Sequence, residues 1–333
     1  MIKDVIINGD ALEVLKTIPD QSFHCVVTSP PFWGLRDYGV VGQMGLEGSP
    51  EEYIEKMVVL FREVCRVLRD DGTLWLNIGD SYAGGGGYCI GSPSNISSKT
   101  GKYFSNSGVA TKGRKPAGNI KAKDLVGIPW MLAFALRADG WYLRQDIIWS
   151  KPNPMPESVT DRCTRSHEYI FMLSKKGKYW YDAKAIRTPA VEHSLNPSHF
   201  SDGSKTEHLI KQRGLKKDKQ RGHSRRHAGF NEKLDSMIVA EQRALGANRR
   251  SVWQISTAGY PEAHFATFPE EIPALCIKAG CPPGGLVLDT FFGSGTTGVV
   301  AKKLGRHYLG IELNPGYVEI ANNRLKKELG LFA

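Results

Sequence analysis

LVLDTFFGSGTTG, running from Leu286 to Gly298, is the stretch that decides the fold. An apolar strand enters a glycine-rich turn, and the turn opens a helix at Thr296. A ligand can approach bare backbone in such a turn, and the helix N-terminus adds free N–H groups and positive potential. Gly293, Gly295 and Gly298 match the dinucleotide pattern G-x-G-x-x-G. Glu312 ends the next strand, Tyr308 to Glu312, where a carboxylate commonly holds ribose hydroxyls. A purely structural turn would carry the same glycines, so the pattern alone leaves both readings open. Its position says more. Only the strand to Glu312 and a helix from Pro315 to Leu329 follow it. A nucleotide-binding sheet needs more strands than that, so the missing ones must come from the N-terminal half. The order of the fold reads as circularly permuted.

Those missing strands are present. Val5 to Ile7, His24 to Thr28, Thr73 to Ile78, Asp146 to Ser150, Tyr169 to Leu173 and Val252 to Ile255 are β-branched or aromatic runs. Ala11 to Thr17, Tyr53 to Leu68, Val126 to Ala138 and Pro269 to Ala279 have helical character, with Asp71-Gly72 closing the second. The alternation predicts an α/β fold with a mostly parallel sheet and helices on both faces. Residues 83–118 are rich in Gly, Ser, Asn and Lys and too long for a plain connection, which predicts a mobile or binding loop.

The 333 residues are 41% hydrophobic and 23% charged, enough apolar material for one large core or two modest ones. That excludes a disordered or fibrous chain. No run of 18 apolar residues occurs, so no membrane span is expected, and MIKDVIINGDALEVL, without a basic n-region and an apolar h-region, is not expected to be a secretory leader. The six cysteines form no C-x-x-C pair, which suggests neither zinc nor a disulfide framework and predicts a reducing cytoplasm.

The net charge of +10 is concentrated. Lys184 to Arg250 holds 15 basic and 7 acidic residues, and Lys205 to Arg226 alone holds 9 and 2. A block of this kind suits a polyanion, because each neutralised phosphate releases counterions. A solvated basic loop would show the same composition.

Thr28 to Tyr38 reads TSPPFWGLRDY. Two prolines fix the backbone and remove two donors, which leaves carbonyl oxygens rigidly aimed at a strand end. Ser29 adds a hydroxyl and Phe32 an aromatic face. This set suits an exocyclic amino group on a nucleobase. The lone pair of such an amine is delocalised into the ring, and acceptors on its two N–H bonds favour the tetrahedral geometry of a nucleophile. A proline turn that merely ends a strand is the plainer reading of the same residues.

The chain resembles the amino-methylating DNA methyltransferases of the permuted, β-class order, in which a Ser/Asp-Pro-Pro-Tyr/Phe block precedes the target-recognition region and the cofactor loop. The matching blocks are NGDAL (8–12), TSPPFWGLRDY, RVLRDDGTLWLNIGD (66–80), IIWSKPNPMP (147–156), TRSHEYIFMLSKKGKYWYD (164–182), HFATFPEEI (264–272), LDTFFGSGTTG and GIELN (310–314). The resemblance implies a Rossmann-like sheet. The two halves of the methyltransferase domain would be residues 1–184 and 251–333, with a target-recognition region at 185–250. It implies S-adenosyl-L-methionine as cofactor and double-stranded DNA as substrate, with no metal. The cofactor would lie against Asp10, Ala11, Ser29, Asp289, Phe291, Phe292, Gly293, Ser294, Gly295, Thr296, Thr297, Glu312 and Leu313, with His264, Phe265 and Thr267 near its methionine part. Asp10 would face the adenine edge and Glu312 the ribose. Ser29, Pro30, Pro31 and Phe32 would be the catalytic block. Thr290 stands where the family usually has Pro, and no role carries over to residues 83–118.

The resemblance further implies that the base is flipped out of the duplex and methylated directly. Ser rather than Asp before Pro-Pro tilts the target toward cytosine N4 over adenine N6. Ring-carbon methylation would need a Pro-Cys nucleophile, and the sequence has none. DNA contacts are expected from Lys216, Lys217, Arg221, Arg225, Arg226, Arg249 and Arg250, and from Arg36, Lys151 and Arg165 beside the cleft. Each of these last three reads equally well as a surface charge. A restriction-modification setting with a cognate endonuclease, and a homodimer, are further expectations. A nicotinamide oxidoreductase would explain the glycines and Glu312 alone, and a non-enzymatic DNA-binding module only the charge. RNA and protein-glutamine methyltransferases are closer rivals, which the large reader region disfavours.

Overall fold

The computed structural model describes residues 3–83, 120–189, 246–257 and 268–330. The chain divides into two units, Met1–Asp182 with Arg250–Ala333, and Ala183–Arg249. Within the smaller unit, Thr188 and Ala247 form an antiparallel bridge with N–H to O distances of 3.0 and 2.8 Å. The loop expected at 83–118 lies outside the described residues apart from Ala83.

The larger unit contains one eight-stranded sheet. Its described elements are β1 (Val5–Asn8), α1 (Ala11–Lys16), β2 (Phe23–Thr28), α2 (Pro50–Val67), β3 (Leu68–Ile78), α3 (Ile128–Ala138), β4 (Tyr142–Ser150), β5 (His167–Ser174), β6 (Val252–Gln254), α4 (Glu271–Gly280), β7 (Leu286–Asp289), α5 (Thr296–Lys303), β8 (His307–Glu312) and α6 (Pro315–Leu329). The strand order is β1-β8-β7-β2-β3-β5-β4-β6. Every described pairing is parallel except the two made by β5. The late β7–α5–β8 segment sits between the early strands β1 and β2, which is the permuted order expected from the sequence.

Period-two alternation gives β2, β7, β8 and the second half of β3 two buried faces. Phe23, Val26, Leu74, Leu76, Leu288 and Ile311 join Leu15, Phe61 and Leu132 in a core under α1, α2 and α3. On the opposite face α4 comes so close that a methyl on Gly280 would collide with Thr73 and Trp75. Among the described residues no helix is long and apolar enough to cross a membrane.

Several element boundaries differ from expectation, two of them by the competition of local chemistry with pattern. Asp71-Gly72 does not end α2. The helix stops at Leu68, whose backbone is already extended, and the chain enters β3 at once. The pairing jumps from Phe23↔Leu68 to Cys25↔Thr73, so residues 69–72 form a bulge. A methyl on Gly72 would stand 2.6 Å from Leu68 Cδ1, so this crowded bulge requires glycine. The second difference is β4, which starts four residues early, at Tyr142. Its first half alternates exposed and half-buried positions and carries no apolar run.

Candidate active site

The carboxyl ends of the parallel strands meet along one edge of the sheet. β2 and β7 are direct neighbours, with Cys25↔Val287 and Val26↔Leu288 in register. Ser29–Phe32 and the glycine turn therefore leave the sheet side by side. Thr28 Oγ1 donates to Asp289 Oδ1 at 2.8 Å and lies 3.0 Å from Thr290 Oγ1. Thr290, the departure from the usual Pro, thus provides a hydroxyl to this stitch between the two motifs.

Asp289 is 2% exposed. Its carboxylate also accepts from Thr297 Oγ1 at 2.6 Å and from the Phe291 N–H at 3.1 Å. The side chain therefore faces into the protein and braces the turn. Burial pushes its pKa from 3.8 up to about 6, against the opposing effect of its hydrogen bonds. Because the folded value is the raised one, the associated stability is complete below about pH 4 and is lost as pH rises through about 6. Asp289→Asn is expected to gain on the wild type as pH rises from 5 to 7.5, read as the difference between their urea midpoints. A difference that does not move with pH would show that this carboxyl does not titrate there.

Around the turn, Gly293 has φ +52° and open space where a Cβ would project. Glu312 Oε2 accepts from the Gly293 N–H and Oε1 from the Asn314 N–H, both at 2.8 Å. A carboxylate has about four acceptor sites, so acceptor capacity remains beside its backbone contacts to Gly293, Asn314 and Leu313. Burial raises the Glu312 pKa. On the neighbouring strand end, Asn8 pairs with Glu312, and Asp10 caps α1 through the Glu13 N–H at 3.0 Å. Bare glycine backbone, a helix N-terminus and a carboxylate with free lone pairs fit a nucleoside-bearing cofactor with ribose hydroxyls. Phe291 packs against the core on the α1–α3 side.

Several residues expected at the cofactor direct their side chains elsewhere. Ala11 is buried in the core. Phe292 stacks on Tyr308 with ring centroids 5.5 Å apart and lies over Gly298 and Gly310. Thr296 Oγ1 accepts from Arg324 Nη1 at 2.8 Å, and Ser294 Oγ is 3.5 Å from the same atom. These residues can serve a ligand through backbone only. Leu313 gives its carbonyl to Asn8 Nδ2 at 3.1 Å. His264, Phe265 and Thr267 lie outside the described residues.

In the proline block, Pro30 is buried and the Pro31 carbonyl accepts from Tyr53 Oη at 2.9 Å. Among the described residues none donates to the Pro30 carbonyl. The Phe32 ring rests on Gly79, where a methyl would stand 2.5 Å from its Cε2. Ser29 Oγ donates to Asn77 Oδ1 at 3.1 Å.

Lys151 and Arg165, both placed beside the cleft, are engaged within the protein. Lys151 pairs with Glu168, and Arg165 donates to the Asp80 carbonyl. The Arg36 carbonyl accepts from Gln43 Nε2 at 3.1 Å, and the Arg250 carbonyl from Trp253 Nε1 at 3.0 Å. Arg249 is half-buried in the smaller unit. Lys216, Lys217, Arg221, Arg225 and Arg226 lie outside the described residues.

Sequence reasoning passed over Tyr53, Asn77, Gly79, Glu168 and Arg324. Asn77 left one trace, a polar residue inside the apolar run TLWLNI.

Residues 23–323 match a family described as DNA methylase, N6/N4 type. The type II methyltransferase M.SmaI of Serratia marcescens is 47% identical over 96% of this chain and 90% of its own length. M.Cfr9I of Citrobacter freundii, also a type II methyltransferase, is 46% identical over 97% of this chain and 88% of its own. Among solved structures, the cytosine-N4-specific PvuII DNA methyltransferase is similar with a TM-score of 0.58, at 18% identity over 98% of this chain and 90% of that one. A Thermus thermophilus protein solved with S-adenosyl-L-methionine is similar with a TM-score of 0.56, at 23% identity over 98% and 95%.

Proposed function

The chain belongs to the N6/N4 DNA methylase family, and on that premise we propose that it is a site-specific type II enzyme that methylates the N4 amino group of cytosine in duplex DNA. The observation that carries this reading is the Thr28–Asp289 hydrogen bond, which holds the proline block against the glycine turn. S-adenosyl-L-methionine, when bound, supplies a methyl on positive sulfur that a nitrogen can take directly. Gly293 and the free lone pairs of Glu312 would hold the cofactor.

Flipping the base out of the duplex costs a few kcal/mol. Phe32 would receive the extruded base by stacking, and Ser29 Oγ and the Pro30 carbonyl would accept from its amino hydrogens. Both acceptors are fixed before the substrate arrives, so catalysis rests on positioning and electrostatics. Ser29 at the head of the block supports cytosine N4 over adenine N6. The basic region 185–250 would read the DNA, its Lys and Arg contacting phosphates. A cognate restriction endonuclease, a homodimer and a cytoplasmic setting complete the proposal.

The test incubates long unmethylated duplex DNA of mixed sequence with enzyme and S-adenosyl-L-methionine, then digests it to nucleosides. N4-methylcytosine is expected. N6-methyladenine as the sole product would overturn the target assignment, and no methylated nucleoside at all would overturn the activity.

A further inference from the structure

Asn77 is a polar side chain next to the carboxyl end of β3, 4% exposed. Its Nδ2 donates to Glu168 Oε2 at 3.1 Å and to the Tyr169 carbonyl at 3.2 Å. Both neighbours on that side are acceptors. Turning the amide over would place its oxygen against two other oxygens, so Oδ1 must face Ser29. The second oxygen of Glu168 is held by Lys151, whose ammonium lies 4.4 Å from the centre of the Trp149 ring. The Glu168 and Lys151 side chains are only 16% and 19% exposed, so the pair is largely shielded from water.

This arrangement matters because a serine hydroxyl can both donate and accept. An amine that must become a nucleophile needs acceptors on its hydrogens, and a hydroxyl proton pointing at its nitrogen would instead occupy the lone pair. The Ser29 Oγ–Asn77 Oδ1 hydrogen bond at 3.1 Å settles which way the hydroxyl points. We propose that Asn77, clamped by Glu168, Lys151 and the Tyr169 carbonyl, is a positioning residue that commits the Ser29 proton inward, so that Oγ meets the substrate amine only as an acceptor. An amide in this position cannot carry a proton through from Ser29 to Glu168. The clamp therefore sets polarity and is not a proton relay.

The inference rests on the amino-methylation reading above. It is tested by a double-mutant cycle on single-turnover methyl transfer to mixed-sequence duplex DNA, with S-adenosyl-L-methionine affinity measured alongside. Asn77→Ala is expected to slow transfer about 100-fold and Glu168→Gln about 10-fold, the scale of losing or misplacing one preorganised group. Cofactor affinity should stay within about three-fold, because neither residue touches the glycine turn. In a Ser29→Ala background, Asn77→Ala should cost less than about three-fold more, since the hydroxyl it orients is already gone. A merely structural role would reproduce the full loss in that background, and that result overturns the proposal. So does a cofactor affinity that weakens in proportion to the rate. Should Asn77→Ala fail to fold, Glu168→Gln completes the same cycle with the same two outcomes. Failure of the underlying reading shows separately, as a wild type that leaves no methylated amine, and would take the inference down with it.

Discussion

Phe32→Ala is expected to lower kcat for methyl transfer by about three orders of magnitude while leaving S-adenosyl-L-methionine affinity within about three-fold. Two effects combine. Stacking of a base on an aromatic ring is worth about 1–3 kcal/mol, all of which goes with the ring. The extruded base also loses the surface that fixes its amine between Ser29 and Pro30, and a displacement of about 1 Å at a reacting centre costs about 100-fold. Cofactor binding should survive, because the glycine turn is braced by Asp289, Thr297 and Glu312 and not by Phe32. The same loss should follow from below the ring. Gly79→Ala would put a methyl 2.5 Å from Phe32 Cε2, so the ring must tilt off its seat. Labelled methyl transfer to DNA and calorimetric titration of the cofactor separate the two quantities. An unchanged rate in Phe32→Ala would remove Phe32 from the substrate site.

The sheet was legible in the sequence because its central strands are buried on both faces. HCVVT, TLWLNI, YIFML and LVLD are nearly continuous apolar runs, and such runs signal a covered, mostly parallel sheet whatever their order in the chain. The permutation was legible from the order of the motifs, since the proline block at 28–32 stands ahead of the glycine turn at 291–295. Less was readable where local chemistry competes with pattern. Asp71-Gly72 has the composition of a helix stop, yet it forms a bulge because Leu68 turns extended and the chain must pass close to His24. Ser49-Pro50 starts α2 three residues before the first periodic apolar position, with Ser49 accepting from the Glu52 N–H at 3.2 Å.

At the site, the motifs declared their own residues but not their supports. Nothing local marks Gly79 as the seat of Phe32 or Tyr53 as the anchor of the Pro31 carbonyl, because those contacts exist only once β2, β3 and α2 are assembled. Lys151 and Arg165 read as free cations in the sequence for the same reason. Glu168 and the Asp80 carbonyl, which engage them, lie 17 and 85 residues away along the chain and meet them only in the folded sheet.

Glu312→Ala should produce the converse of the Phe32 phenotype, with cofactor binding as the quantity that fails. Each Glu312 oxygen already holds a backbone N–H at 2.8 Å, one from Gly293 in the turn and one from Asn314 at the start of α6. Ribose hydroxyls would take the acceptor capacity that remains. Hydrogen bonds to a charged group contribute about 1.5–3 kcal/mol each, so losing two weakens S-adenosyl-L-methionine binding by about 100-fold or more. Alanine also leaves the Gly293 N–H without its acceptor, which loosens the turn itself. Glu312→Gln keeps one acceptor oxygen and should fall between the two, at about 10-fold. Burial raises the pKa of this carboxyl, so wild-type affinity should begin to decline at a higher pH than an ordinary glutamate would allow, as protonation removes an acceptor. Calorimetric titration with S-adenosyl-L-methionine across mildly acidic pH reads both effects. An affinity in Glu312→Ala within three-fold of wild type would move the ribose away from the end of β8, and with it the whole placement of the cofactor along this edge of the sheet.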